Sequence, residues 1–132
     1  MSASPIPVLA DAGNATASVL DGAALARLRE LDPDGRQGVV VRVLQTFEAS
    51  LQRLLGQAAQ ARERGDLATV GAVAHTLKSS SASVGALALN RWCALVEAAV
   101  RQGEGAEVPS RLAAMLDEGN RVLATVRAML RD

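Results

Sequence analysis

The chain has 132 residues, 49% of them apolar, with 14 basic and 14 acidic side chains that cancel in charge. Such a chain suits one domain with a hydrophobic core, and its zero net charge argues against capture of bulk nucleic acid or anionic lipid, which needs a basic surface. Two aromatics, Phe47 and Trp92, are too few for a base-stacking platform, and a single Cys with a single His excludes a Cys/His zinc cluster and any intramolecular disulfide.

Residues 1–18 are rich in Ser, Ala, Pro, Gly and Asn and show no sustained periodicity. They read as a flexible leader, followed by one helical domain over 19–132. The start, Met1-Ser2-Ala3-Ser4-Pro5, lacks the basic and apolar segments of a secretory signal. No apolar run has the length to span a bilayer. A cytoplasmic protein with no membrane partner is expected.

From Val19 onward the pattern is helical. Asp21 can cap a short helix carrying Leu25, Leu28 and Leu31, which Asp32-Pro33-Asp34-Gly35 then breaks. A long helix follows, with an apolar stripe of Val40, Val43, Leu44, Phe47, Leu51, Leu54, Leu55 and Ala58 at spacings of three and four. Gly65 suits its end and Asp66 the cap of the next. The third helix is expected from about Leu67 to Ala82, with Gly85 near the next junction. A fourth carries Leu89, Trp92, Cys93, Val96 and Val100. Gly103-Glu104-Gly105 makes a turn, Pro109 suits a first helical position, and the last helix carries Leu112, Met115, Leu116, Val122, Leu123, Val126 and Leu130. Nothing alternates with period two. The expected fold is all-α: an antiparallel up-and-down four-helix bundle with a short extra N-terminal helix.

The third helix carries the chemistry. On a helical wheel Leu67, Val70, Val73, Ala74, Leu77 and Val84 gather on the core side. His75 points nearly opposite, among Ala68, Gly71, Ala72, Lys78, Ser79 and Ala82. Apart from Lys78 these are all small. An ordinary solvent face would carry Glu, Lys, Arg and Gln; this one spends Gly71 and the serines Ser79 to Ser81. Gly inside a helix costs on the order of 1 kcal/mol relative to Ala. A face of small residues lets another protein approach the imidazole closely. Between Leu67 and Val96 the only charges are Lys78 and Arg91. No carboxylate in that stretch would repel a phosphoryl group on the ring, and Lys78, one turn beyond His75, can reach such a group.

The string Ala74-His75-Thr76-Leu77-Lys78-Ser79-Ser80-Ser81-Ala82-Ser83-Val84-Gly85-Ala86 resembles the signature of histidine-containing phosphotransfer (HPt) domains of multistep two-component phosphorelays. The match falls on Ala74, His75, Leu77, Lys78, Gly85, Ala86 and Leu89. Gly65-Asp66 before it and Cys93, Leu95 and Glu97 after it are similar to the family too. The likeness runs from about Leu20 to Leu130. One departure is Ser79, where the family usually has Gly.

The resemblance implies that His75 is the phosphoacceptor through its outer ring nitrogen, moving a phosphoryl group between receiver-domain aspartates. It implies that Lys78 offsets phosphoryl charge and that Gly85 allows close helix packing. Receiver docking is expected on Ala68, Gly71, Ala72, Ser79 and Ala82. Imidazole is a good nucleophile near neutral pH, and in-line phosphoryl transfer needs mainly positioning and charge neutralisation. No carboxylate cluster adjoins His75 in the sequence, so no cofactor is expected on this chain and Mg2+ would come from the receiver. No nucleotide-binding loop is present, so autokinase activity is not expected: the chain reads as a carrier rather than a true enzyme. Its expected partners are response-regulator receiver domains and a hybrid sensor kinase, and the expected state is monomeric.

Other residues read more plainly. Cys93 lies on an apolar stripe and suits the core. Trp92 suits core or a docking rim. Glu97 either hydrogen-bonds near the bundle end or is solvated. Gly119 marks a close helix contact or a weak point. The serines near His75 lack an acidic partner to orient the ring, which disfavours a nucleophilic hydrolase. The competing reading is a helical adaptor, or a degenerate HPt module that binds receivers without transfer.

Overall fold

The computed structural model describes residues 19–131. The leader expected over 1–18 lies outside the described residues. Among these residues are five helices and no strand: α1 (Gly22–Glu30), α2 (Val39–Arg64), α3 (Leu67–Ser83), α4 (Leu87–Arg101) and α5 (Val108–Arg131). Helix α3 packs on α2 and α4, α5 packs on α4 and α2, and α1 packs on α2. The four long helices thus close a ring, and short connections make consecutive neighbours antiparallel.

The core is the set of apolar stripes read from the sequence, turned inward. Leu44, Phe47, Leu51, Leu54, Leu55 and Ala58 come from α2, Leu89, Cys93, Val96 and Ala99 from α4, and Leu112, Met115, Leu116, Val122, Leu123 and Val126 from α5. Gly119 lets α5 approach α2 closely: a Cβ there would lie 2.5 Å from Leu55 Cδ2. The bond from Arg127 Nε to Glu48 Oε2 at 2.9 Å ties α5 to α2 on the outside.

The junctions follow from local chemistry. Asp21 caps α1, its carboxylate accepting the Ala24 N–H. Leu31, expected on the apolar side of α1, lies just past the helix end and is 68% exposed. Asp32 takes the opposite role: its buried carboxylate accepts the N–H groups of Gln37 at 3.0 Å and Val39 at 3.2 Å. It thereby caps α2 in place of Gly38, which has no side chain to do so. Helix α2 ends at Gly65 in the left-handed conformation, with the Asp66 N–H on the Ala61 carbonyl at 2.8 Å. Helix α5 begins at Val108, so Pro109 sits one residue later than expected. Its missing N–H still costs nothing within the first turn.

Candidate functional site

Asp66 starts the helix that carries the site. Its carboxylate accepts the Thr69 N–H at 3.1 Å and the Thr69 hydroxyl at 2.6 Å. These bonds, the hydroxyl foremost, hold Asp66 below the usual carboxylate range. Helix α3 then buries Val70, Val73, Ala74, Leu77 and Ser81.

Two wheel assignments change in the fold. Leu67, expected in the core, is at the start of α3 and is exposed. Ser81, expected on the open face, is fully buried and spends its hydroxyl on the Leu77 carbonyl at 2.6 Å. The cause is packing: α3 is flanked by both α2 and α4, so its buried arc is wider than an isolated wheel suggests.

His75 stands on the outer side of α3 with 67% of its side chain exposed. Its Nδ1 lies 2.6 Å from Glu97 Oε2, on α4. The other carboxylate oxygen, Oε1, accepts a bond from Lys78 Nζ, also at 2.6 Å. The carboxylate therefore joins the two residues singled out in α3. Hydrogen bonds from Lys78, then from His75, hold the Glu97 pKa below its ordinary value against the opposing pull of burial. Glu97 is thus ionised at neutral pH and can only accept. A neutral His75 ring meeting it must carry its proton on Nδ1, which leaves the lone pair on the outer nitrogen, Nε2.

This corrects the expectation that His75 has no acidic neighbour. The stretch before Val96 is free of carboxylates, but the next residue is Glu97, and α4 folds it back beside the ring. Ser80, Ser81 and Ser83 donate to carbonyls of their own helix, and among the described residues no serine hydroxyl bonds His75.

Asn90 was not singled out. It lies two turns before Glu97 on α4, and its amide donates to the Lys78 carbonyl at 2.6 Å. A polar pair seven residues apart on the apolar stripe that holds Cys93 was the available signal. Cys93 itself is fully buried, and burial pushes its thiol up to about 12. Trp92 packs against the core while staying partly exposed.

Ala68, Ala72, Ser79 and Ala82 are exposed along α3. Gly71 is not part of that open face. It is half-buried against α4, where a Cβ would lie 3.0 Å from Val100 Cγ1, so its small size serves the approach of two helices. Gly85 sits at the α3–α4 turn with φ +79°, and a Cβ there would lie 2.8 Å from Ala24 Cβ. Its carbonyl accepts the Asp21 N–H at 2.7 Å, fastening the start of α1 to the turn.

Among the described residues no group of three or more His, Cys, Asp or Glu is placed to hold a metal ion. No helix among them is long and apolar enough to cross a membrane.

Comparison with known proteins agrees with this geometry. The family model for the Hpt domain matches residues 42–131. Among solved structures, histidine-containing phosphotransfer protein B from Pseudomonas aeruginosa is similar with a TM-score of 0.76 and 27% identity, over 87% of this chain and 96% of that one. A putative histidine-containing phosphotransfer protein from rice shares the fold with a TM-score of 0.73 and 24% identity, over 97% of this chain and 95% of that one. No functionally curated protein matches significantly. Since the family model spans most of the bundle, His75 included, the chain belongs to the Hpt domain family, the histidine phosphotransfer modules of phosphorelays.

Proposed function

We propose that His75 accepts a phosphoryl group on Nε2 from the aspartyl phosphate of one receiver domain and passes it to the aspartate of another. The Nε2 lone pair attacks phosphorus, the N–P bond forms as the acyl P–O bond breaks, and the aspartate leaves as a carboxylate. The ring becomes cationic in this step. Glu97, bonded at Nδ1, offsets that charge from the opposite side of the ring. The phosphoryl group therefore projects away from the carboxylate. Lys78 keeps Glu97 in place with one N–H and has two more to offer to phosphoryl oxygens. Magnesium is supplied by the receiver, and a hybrid sensor kinase is the natural source of phosphoryl groups. The carrier acts as a monomer.

The observation that carries this reading is the His75–Glu97 bond, which engages Nδ1 and leaves Nε2 as the ring nitrogen open to a partner on the exposed side chain of a bundle of this family. The test is phosphoryl transfer from a panel of magnesium-loaded, phosphorylated receivers to the native protein and to His75→Gln. Acid-labile, alkali-stable label on the native protein alone is expected. Receiver binding without label on the native protein would instead mark a module that docks and does not carry.

A further inference from the structure

Helices α2 and α3 leave an open groove beside His75. Leu54, Val73, Ala68, Ala72 and Thr76 form its floor and one wall, and Arg53 and Gln57 of α2 stand on the other. Ala72 and Thr76 adjoin His75 on α3, so the groove opens next to the part of the helix that carries the ring. No carboxylate lines it.

Among the arginines of α2, Arg53 is the one that lines this groove. Arg42 donates to the Gln37 carbonyl and Arg64 pairs with Asp66. Arg62 lines a different groove, against α5. Glu48, the nearest acid on α2, is held by Arg127. Arg53 is exposed and has no hydrogen-bond or ion-pair partner among the described residues. An unpaired guanidinium over a groove of small and apolar side chains suits a carboxylate on the partner, since Arg pairs bidentately with one.

We infer that Arg53 selects the receiver. The favoured receiver lays small apolar side chains into the α2–α3 groove and sets an Asp or Glu against the guanidinium. Arg53 is a docking residue and takes no part in the chemistry at Nε2. This rests on His75 as phosphoacceptor, and the experiment separates the two.

His75 is first loaded with phosphoramidate, a small donor that needs no docking. Label on the native protein and none on His75→Gln upholds the phosphoacceptor. The absence of label on the native protein overturns that reading and this one with it. Loaded native protein, Arg53→Ala and Arg53→Glu, at equal loading, are then mixed with the receiver domains of its own genome. For the receiver served fastest, the second-order transfer rate is expected to fall about tenfold in Arg53→Ala and further in Arg53→Glu. The rate at saturating receiver stays constant, and the gap between variants closes at high salt. Replacing the facing receiver carboxylate with Lys should restore transfer to Arg53→Glu. Equal second-order rates for all three proteins at low salt, or transfer to no receiver, would overturn the inference.

Discussion

Glu97 Oε2 lies 2.6 Å from His75 Nδ1, although the two residues are 22 positions apart and sit on different helices. The carboxylate sets which ring nitrogen holds the proton and so which one is free to react. Removing it in Glu97→Ala frees the ring to rotate and to change tautomer. Loss of orientation is expected to slow phosphoryl transfer on the order of 100-fold. Glu97→Gln keeps an acceptor for Nδ1 and should lie between the two. Single-turnover rates, with circular dichroism to confirm the fold, decide this; a native rate in Glu97→Ala removes the residue from the mechanism.

Lys78 shares that carboxylate and faces the same solvent. In Lys78→Ala the cation proposed to face the phosphoryl oxygens is gone, and Glu97 loses the bond that does most to keep it ionised. Transfer is expected to slow roughly 10- to 100-fold with little change in stability. Unchanged single-turnover rates would show that Lys78 serves only to hold Glu97.

Acid should weaken the fold in a defined direction. Glu97 and Asp66 both have folded-state pKa values below their ordinary ones. Their contributions are present above the ordinary carboxylate range and are lost as pH falls through the lowered values. The urea midpoint is therefore expected to drop between about pH 5 and pH 3. Asp66→Asn keeps a capping side chain but loses the titrating group, so its midpoint should fall less over the same interval. Parallel curves for the two proteins would exclude Asp66 as a contributor.

Gly85 is the position where the backbone tolerates least. Alanine there meets a left-handed φ of +79° and places its Cβ 2.9 Å from the Asp21 nitrogen. Backbone strain and overpacking together should cost roughly 2–4 kcal/mol. The loss should appear in chemical denaturation and as faster amide exchange in α1, because the Asp21–Gly85 bond is the one broken. Native exchange in α1 would contradict this.

Cys93 should be silent in the native protein. It is fully buried and its thiol is pushed up to about 12, so little thiolate is available to a disulfide reagent. Reaction is expected only as fast as the bundle opens, rising with urea. Cys93→Ser buries a hydroxyl among apolar side chains and should cost about 1–3 kcal/mol. Rapid labelling without denaturant would mean that α4 opens locally.

Much of this molecule is legible along the chain. The stripes of α2 and α5, the caps Asp21 and Asp66 and the glycines at the helix ends are local features. They specify helices because spacing and capping act within a few residues. The signature around His75 and Lys78 is local as well. The partner of both residues is not. Along the chain Glu97 reads either as a hydrogen-bonded acid or as a solvated one, and only the packing of α4 on α3 gives it His75 and Lys78 as partners. Gly71 and Ser81 looked like part of an open face until Val100 and the core closed over them. A wheel describes one helix in isolation, whereas burial and hydrogen bonding in a bundle depend on which neighbours flank it and at what register. The helices and the proposed nucleophile belong to the sequence; the partner of its ring, and the width of the face around it, are set by helix packing.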